Sequence, residues 1–425
     1  MEQYRAISGT RDVLPQEREL WQRLEAIVRE VMALYAYDEI VTPIFEQTEL
    51  FARSIGEGTD IVSKEMYTFE DMGGRAIALR PEGTAGVVRA YLENSLGNQK
   101  PFQKLWYMGP IFRQERPQKG RQRQFHSFGV EAFGSDGPSV DAEVIALFMA
   151  IIKRGGVDGS LHVGSIGDNI CRPGYIDTLR DYLSSIGDSL DNTSRERIKT
   201  NPLRVLDSKD EGTKEATKDA PSMLDHLCDG CKDHFRGLTE ALERLDIPHT
   251  VDPRLVRGLD YYTRTVFEVR TDQLGSQDAL GGGGRYDGLV EELGGPPTPA
   301  VGFGSGMERL VLLMDGADDS FESLDVFVAT RGESAQRLSL IVLESLRDSG
   351  LKSDTDYLGR SLKAQLRQAN RTGAKAAVIL GDDELERGVA QVKWMDRDSQ
   401  DEMPLDSLAA ELSIALTSTD GQAGT

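Results

Sequence analysis

Apolar side chains recur every three or four positions early in the chain. Leu20, Leu24, Ile27, Val28, Val31 and Leu34 fall on one stripe, which predicts an amphipathic helix over residues 16–35. Residues 40–44, Ile-Val-Thr-Pro-Ile, then predict a short strand, and Pro43 suits an edge or an interface better than a sheet centre. Residues 76–79, 104–108 and 125–133 read as further strands, and residues 141–152 as a helix.

The texture changes from about residue 168 to 248, where charged residues at helical spacing replace strand patterns. This segment reads as a helical module inserted into a larger domain, because a strand pattern resumes at 263–270. The glycine run 281–284 leads into another strand and helix, and the stretch starting at Gly302 opens a helix that runs to Leu313. Residues 317–320, Ala-Asp-Asp-Ser, mark a linker. Beyond it, strands at 326–329, 376–380 and 389–394 alternate with helices at 335–347, 361–371 and 405–416, which predicts a small, largely parallel sheet carrying helices. Two domains are therefore expected: residues 1–320, with the insertion at about 168–248, and residues 325–425.

Length supports that division, since 425 residues exceed what one hydrophobic core serves. With 39% hydrophobic and 28% charged residues the composition is that of a globular protein. No membrane association is expected, because runs such as 144–152 are too short to cross a bilayer and the N-terminus has no apolar signal core. Three cysteines make a disulfide framework implausible and point to a reducing, cytoplasmic setting. The net charge of −21 argues against a polyanionic partner only at long range. Locally, Arg113, Arg116, Lys119, Arg121 and Arg123 crowd a stretch whose one acid is Glu115.

Four stretches carry candidate chemistry. In Phe112-Arg-Gln-Glu-Arg-Pro-Gln-Lys-Gly-Arg-Gln-Arg-Gln-Phe-His126, two strands around a turn would gather arginines at one cavity, where their forked donors suit phosphate; a solvated basic loop is the alternative. In Leu255-Val-Arg-Gly-Leu-Asp-Tyr-Tyr-Thr-Arg264, paired tyrosines offer hydroxyls beside apolar faces and suit a small polar ring, or else pack a strand edge. Gly281 to Tyr286 and Gly302 to Arg309 let backbone approach a ligand, or simply make a tight turn before a helix; the glycine spacing is wrong for a dinucleotide loop. In Leu79-Arg-Pro-Glu-Gly-Thr-Ala85, Glu82 and Thr84 could hold an ammonium group or cap a helix.

Together these stretches resemble the histidyl-tRNA synthetases, a family of class II aminoacyl-tRNA synthetases. The resemblance extends over nearly the whole chain, starting at Ser8-Gly-Thr-Arg-Asp-Val-Leu-Pro15 and continuing through Asp60-Ile-Val-Ser-Lys-Glu-Met-Tyr67. The helix and proline strand ending at Pro43 are similar to class motif 1, the arginine-rich stretch to motif 2, and Ala300-Val-Gly-Phe-Gly-Ser-Gly-Met-Glu-Arg-Leu310 to motif 3. Leu-Val-Arg-Gly-Leu-Asp-Tyr-Tyr and Gly-Gly-Gly-Arg-Tyr-Asp-Gly-Leu are specific to the histidine family.

The resemblance implies an α+β catalytic domain built on an antiparallel sheet, a helical insertion that clamps the acceptor arm, and a C-terminal α/β anticodon-binding domain. It implies a homodimer acting on L-histidine, ATP with Mg²⁺ and tRNA(His), with no permanently bound cofactor. It also implies roles for individual residues. Arg113 bridges the histidine carboxylate and the α-phosphate, and Arg257 faces the α-phosphate. Arg309 and Arg121 handle the rest of ATP, with Glu115 and Phe125 near the adenine. Glu131 accepts from one ring nitrogen of histidine, Tyr262 beside Tyr261 faces the other, and Glu82 and Thr84 hold the α-amino group. The family usually has glutamine where this chain has Ser127, so a water is expected to fill in at that contact. Arg360, Lys363, Arg367 and Arg371 would form a basic face on one C-terminal helix, for RNA or as a solvated surface.

Two alternatives bear on function. Cys228-Asp-Gly-Cys231, flanked by His226 and His234, suggests zinc, but a single Cys-x-x-Cys is a weak signal and the expected second ligand pair is missing, so no metal site is expected. A histidine-binding regulatory paralogue of ATP phosphoribosyltransferase shares the catalytic fold. It normally lacks the C-terminal domain and loses catalytic arginines, whereas Arg113, Arg257 and Arg309 are all present here.

Overall fold

The computed structural model describes residues 4–56, 59–117, 120–275, 278–314, 323–397 and 399–420. Lys119 and the linker 317–320 lie outside the described residues. The chain divides into two compact units, Met1–Gly316 and Ala317–Thr425.

The first unit is built on an eight-stranded sheet. Its order is Asp38–Glu39, Gln103–Phe112, Gln124–Phe133, Ala300–Gly306, Ala279–Arg285, Thr263–Arg270, Ser160–Ser165 and His249–Val251. The six inner strands pair antiparallel throughout, and only the short outermost strands pair parallel with their neighbours. Strand alternation decides what lies on each face. From Gln124–Phe133, residues Phe128, Val130 and Ala132 enter the core; from Ala300–Gly306, Val301 and Phe303 do; and Phe267 and Val269 join them. Helices Pro15–Leu34, Pro138–Arg154 and Asp229–Arg244 cover that face with Leu24, Val28, Phe148, Ile151, Leu238 and Leu242. The opposite face presents Phe125, Ser127, Glu131, Glu268 and the glycines of the inner strands to a cavity.

Several elements differ from the sequence reading. Residues 40–44 form no strand: pairing stops after Ile40, whose N–H reaches the Trp106 carbonyl at 2.8 Å, and resumes only at Phe45–Gln47 in a separate three-stranded sheet. Pro43 has no N–H to donate, and the Thr42 carbonyl and hydroxyl are occupied by the Arg80 guanidinium, each at 3.2 Å. The helix expected from Gly302 begins at Met307, because Ala300–Gly306 is a central strand bonded on both sides. Within 168–248, the helices up to residue 228 enclose their own small core of Tyr175, Leu179, Leu183, Ile198, Val205 and Met223. Helix Asp229–Arg244 instead sends Leu238 and Leu242 into the core beneath the main sheet.

The second unit carries a five-stranded sheet in the order Ser353–Thr355, Val326–Arg331, Ala376–Gly381, Val389–Trp394, Ser399–Pro404. The first three strands are parallel and the last two antiparallel, so the sheet is mixed rather than largely parallel. The connection from Gly381 to Val389 holds only the five-residue helix Asp382–Glu386, too short for a parallel crossover, which needs about a dozen residues or more.

Candidate active site

The residues to which the resemblance gives roles, from Glu82 to Arg309, line one cavity of about 310 Å³ on the open face of the large sheet, whereas Arg116 is exposed and Arg123 donates to the Glu115 and Ser8 carbonyls. The strand period explains why a continuous stretch supplies so many: Phe125, Ser127 and Glu131 project from one side of Gln124–Phe133. The glycines opposite make the space. A Cβ on Gly302 would stand 2.0 Å from Glu131 Oε2, and a Cβ on Gly282 would stand 2.9 Å from Arg257 Cζ. The glycine runs thus serve as the cavity floor, where Glu131 from the next strand and Arg257 from a loop lie close against backbone.

At one end sits a buried polar network. Thr84 donates its hydroxyl to Glu131 Oε1 at 2.7 Å, and Tyr286 donates to Oε2. Burial raises the Glu131 carboxyl to about 8, against which these two hydroxyls pull down. Tyr261 lies with its ring centre 4.7 Å from Tyr262 and 5.6 Å from Tyr286, and burial raises all three phenols. Glu82 caps a helix: its carboxylate accepts the N–H groups of Thr84 at 2.6 Å and Ala85 at 2.8 Å, at the start of helix Thr84–Glu93. Thr84 itself points away from that cap, to Glu131.

The other end is lined by guanidinium groups. Arg113 donates to the Pro81 carbonyl at 2.8 Å, lies over the Phe125 ring at 5.7 Å, and has Glu115 at 3.7 Å. Burial pushes its guanidinium below the ordinary arginine value, so an anion arriving there relieves a desolvated charge. Arg121 is paired with Glu115, and Arg257 with Glu268. Arg309 reaches across to the carbonyls of Gly120 and Ala279. Ser127 donates to the Ser305 carbonyl at 2.9 Å, so its hydroxyl is occupied by the neighbouring strand.

Tyr107, Tyr286, Glu268 and Glu308 also line the cavity and received no role from the sequence. Glu268 had a signal, since it alternates with the core residues Phe267 and Val269 and so had to face the other way. Tyr107 had none, because its strand is apolar on both faces. Among the basic residues of the second unit, Arg360 does not join a helical face. It precedes helix Leu362–Arg371 and bonds Asp356 and Gln368.

Comparison with known proteins agrees with this geometry. The family model described as histidyl-tRNA synthetase matches residues 9–310, and the model for an anticodon-binding domain matches residues 325–413. A histidine–tRNA ligase of Halothermothrix orenii is 51% identical over 96% of this chain and 98% of its own length. One from Acaryochloris marina is 49% identical over 98% of both. The crystal structure of apo S. aureus histidyl-tRNA synthetase superimposes with a TM-score of 0.82 at 39% identity, covering 97% of this chain and 100% of that one.

Proposed function

The chain belongs to the histidyl-tRNA synthetase family and its activity is that of a histidine–tRNA ligase; from that premise we propose which side chains perform each step. Histidine lies with its ring at the Glu131 end. A neutral imidazole has one donor and one acceptor nitrogen, and a carboxylate opposite a tyrosine hydroxyl matches that pair. Glu131 takes the ring N–H, and Tyr262, supported by Tyr261, faces the other nitrogen. Thr84 and Tyr286 hold the Glu131 carboxyl in place, which supports this reading of the pocket. The α-amino group lies toward Glu82 and Thr84, and the carboxylate toward Arg113.

ATP occupies the arginine-lined end. A carboxylate oxygen of histidine attacks the α-phosphorus, pyrophosphate leaves, and histidyl-adenylate remains. Arg113 bridges carboxylate and α-phosphate, and Arg257 stabilises the negative charge that spreads over the α-phosphate oxygens. The pairing of Arg257 with Glu268 supports this role: the carboxylate compensates the cation until a phosphate competes for it. Arg309 and Arg121 bind the remaining phosphates, with Phe125 and Glu115 beside the adenine. Glu308 would hold magnesium, since its carboxylate lies on the cavity wall and its Oε2 is buried with no hydrogen-bond partner among the described residues. A bound magnesium ion would neutralise the departing pyrophosphate.

In the second step a ribose hydroxyl at the 3′ end of tRNA(His) takes the aminoacyl group and AMP departs. The second unit reads the anticodon, and the enzyme acts as a cytoplasmic homodimer; among the described residues no helix is long and apolar enough to cross a membrane. The network on Glu131 carries this assignment. Replacing Arg257 with alanine tests the phosphate end: histidine-dependent exchange of pyrophosphate into ATP is expected to fall about 10²–10³-fold while the KM for histidine changes little. Unchanged exchange would remove Arg257 from the chemistry.

A further inference from the structure

The cysteine pair discounted in the sequence acquires its missing partners in the fold. Asp168 and Cys171 follow the strand Ser160–Ser165, and Cys171 caps helix Arg172–Ser185. Cys228 caps helix Asp229–Arg244, and Cys231 sits in that helix's first turn. The two helix starts converge, and one ligand atom from each of these four residues lies within 4.8 Å of every other. Cys171 Sγ is 3.8 Å from Cys231 Sγ and 3.4 Å from Asp168 Oδ1, and Cys228 Sγ is 3.8 Å from both Asp168 oxygens. In a tetrahedral zinc site with Zn–S of about 2.3 Å, the S···S edge is about 1.63 times that, or about 3.8 Å. The S···O edges are slightly shorter because the Zn–O bond is about 2.0–2.2 Å. Three of the cluster's edges stand at 3.4–3.8 Å, close to these lengths, and the others lie within 4.8 Å.

The surroundings suit a metal. Both histidines near the pair are engaged elsewhere, His234 with Asp141 at 2.8 Å and His226 with the Ser222 carbonyl at 2.9 Å, so neither competes as a ligand. The Asp168 N–H points at Cys171 Sγ at 3.4 Å, and the Ile170 N–H holds Asp168 Oδ1 at 3.0 Å, the kind of backbone support that orients metal ligands. Three thiolates and a carboxylate around Zn²⁺ leave two negative charges. The two helix N-termini and Arg264, 3.9 Å from Asp168, offset them. A disulfide between Cys171 and Cys231 would leave Cys228 and Asp168 unexplained.

We propose that Asp168, Cys171, Cys228 and Cys231 form a tetrahedral structural site for a zinc ion. Binding replaces the three thiol protons, which leave to solvent. The site joins the turn after one sheet strand to the start of a helix about sixty residues later. That turn also holds the tyrosine segment. Arg264 donates its N–H to the Gly167 carbonyl at 2.7 Å and Ile166 donates to Arg264 at 2.9 Å, while Arg172, next to Cys171, donates to the Tyr262 carbonyl at 2.6 Å. The metal would therefore fix the backbone on which Tyr261 and Tyr262 are mounted. The ligand geometry stands whether or not those tyrosines bind histidine.

Full-length protein purified under reducing conditions without chelator tests this by total metal analysis, followed by removal of metal and reloading with zinc or cobalt alone. One zinc per chain is expected. The cobalt form is expected to show thiolate-to-metal charge transfer and the intense visible bands of tetrahedral geometry. Cys228→Ser should reduce the charge-transfer band by about a third, and Cys228→Ser with Cys231→Ser should abolish stoichiometric binding. No bound metal and no cobalt charge transfer in the wild-type chain would overturn the site, whatever the variants do. Undiminished binding by the double variant would place the metal elsewhere and overturn it equally.

Discussion

Glu131 is the residue on which selection of the ring depends. Its carboxyl is raised to about 8 by burial, so near neutral pH the empty pocket holds it largely protonated. A carboxyl must lose that proton before it can accept from an imidazole N–H. Rising pH therefore favours the binding form, and kcat/KM for histidine should climb between about pH 6 and 8. Glu131→Gln should lower kcat/KM by about 10–150-fold at pH 8, the loss of one hydrogen bond to a charged group, and leave only the pH response of the ligand's own ring near about 6.5. An unaltered profile in the variant would mean that another group recognises the ring. The same buried acid weakens the folded state as pH rises: its native value lies above its unfolded value, so the stability it allows is complete below the unfolded value and is lost as pH climbs towards about 8. At this scale the sequence was informative wherever a motif named a residue, and silent wherever burial decided the chemistry. Nothing around Tyr286 indicated that its hydroxyl would meet Glu131, because the two are 155 positions apart.

Elements are joined beneath the cavity by charges fully withdrawn from water. Arg285, on the strand Ala279–Arg285, is bonded to Asp141 of helix Pro138–Arg154, and His234 of helix Asp229–Arg244 holds the same carboxylate at 2.8 Å. Arg285 and Asp141 have no exposed surface. Removing Arg285 leaves the Asp141 carboxylate buried with His234 as its one remaining side-chain partner among the described residues, so Arg285→Ala should cost about 3 kcal/mol in denaturant unfolding of the first unit. A loss below about 1 kcal/mol would show that water or a shifted side chain replaces the guanidinium. Burial acts to raise the Asp141 carboxyl, but the His234 hydrogen bond and the Arg285 charge hold it below its usual range. Its contribution is therefore present above the unfolded value of about 3.9 and is lost as acid titrates the native carboxylate. Periodicity located the helix that carries Asp141 to within a turn, but left the one that carries His234 undivided within the helical insertion. It failed at residues 40–44, where a proline and a buried arginine removed the sheet partners, and at Gly302, where a strand bonded on both sides looks glycine-rich and helix-like in isolation.

At the scale of the molecule, a chain of net charge −21 has to bind RNA through local patches. In the second unit, Lys363 and Arg367 on helix Leu362–Arg371 share a surface concavity with Lys393, Arg397 and Trp394. Clustered cations of this kind suit a phosphate backbone. Lys363→Ala with Arg367→Ala should weaken tRNA(His) binding at low salt and reduce the slope of log affinity against log salt by about 1–2, leaving exchange without tRNA unchanged. An unchanged slope would make the patch a solvated face. The four-residue cysteine and aspartate cluster was not readable in the sequence, because its halves are far apart and meet only through two helix starts.

The account rests most directly on which amino acid the cavity activates. With purified protein, ATP and magnesium but no tRNA, exchange of labelled pyrophosphate into ATP should depend on histidine and on no other amino acid, and the same preparation should then charge tRNA(His). Histidine binding without exchange would contradict the account, because it would show a pocket that recognises the ring while its arginines do no chemistry.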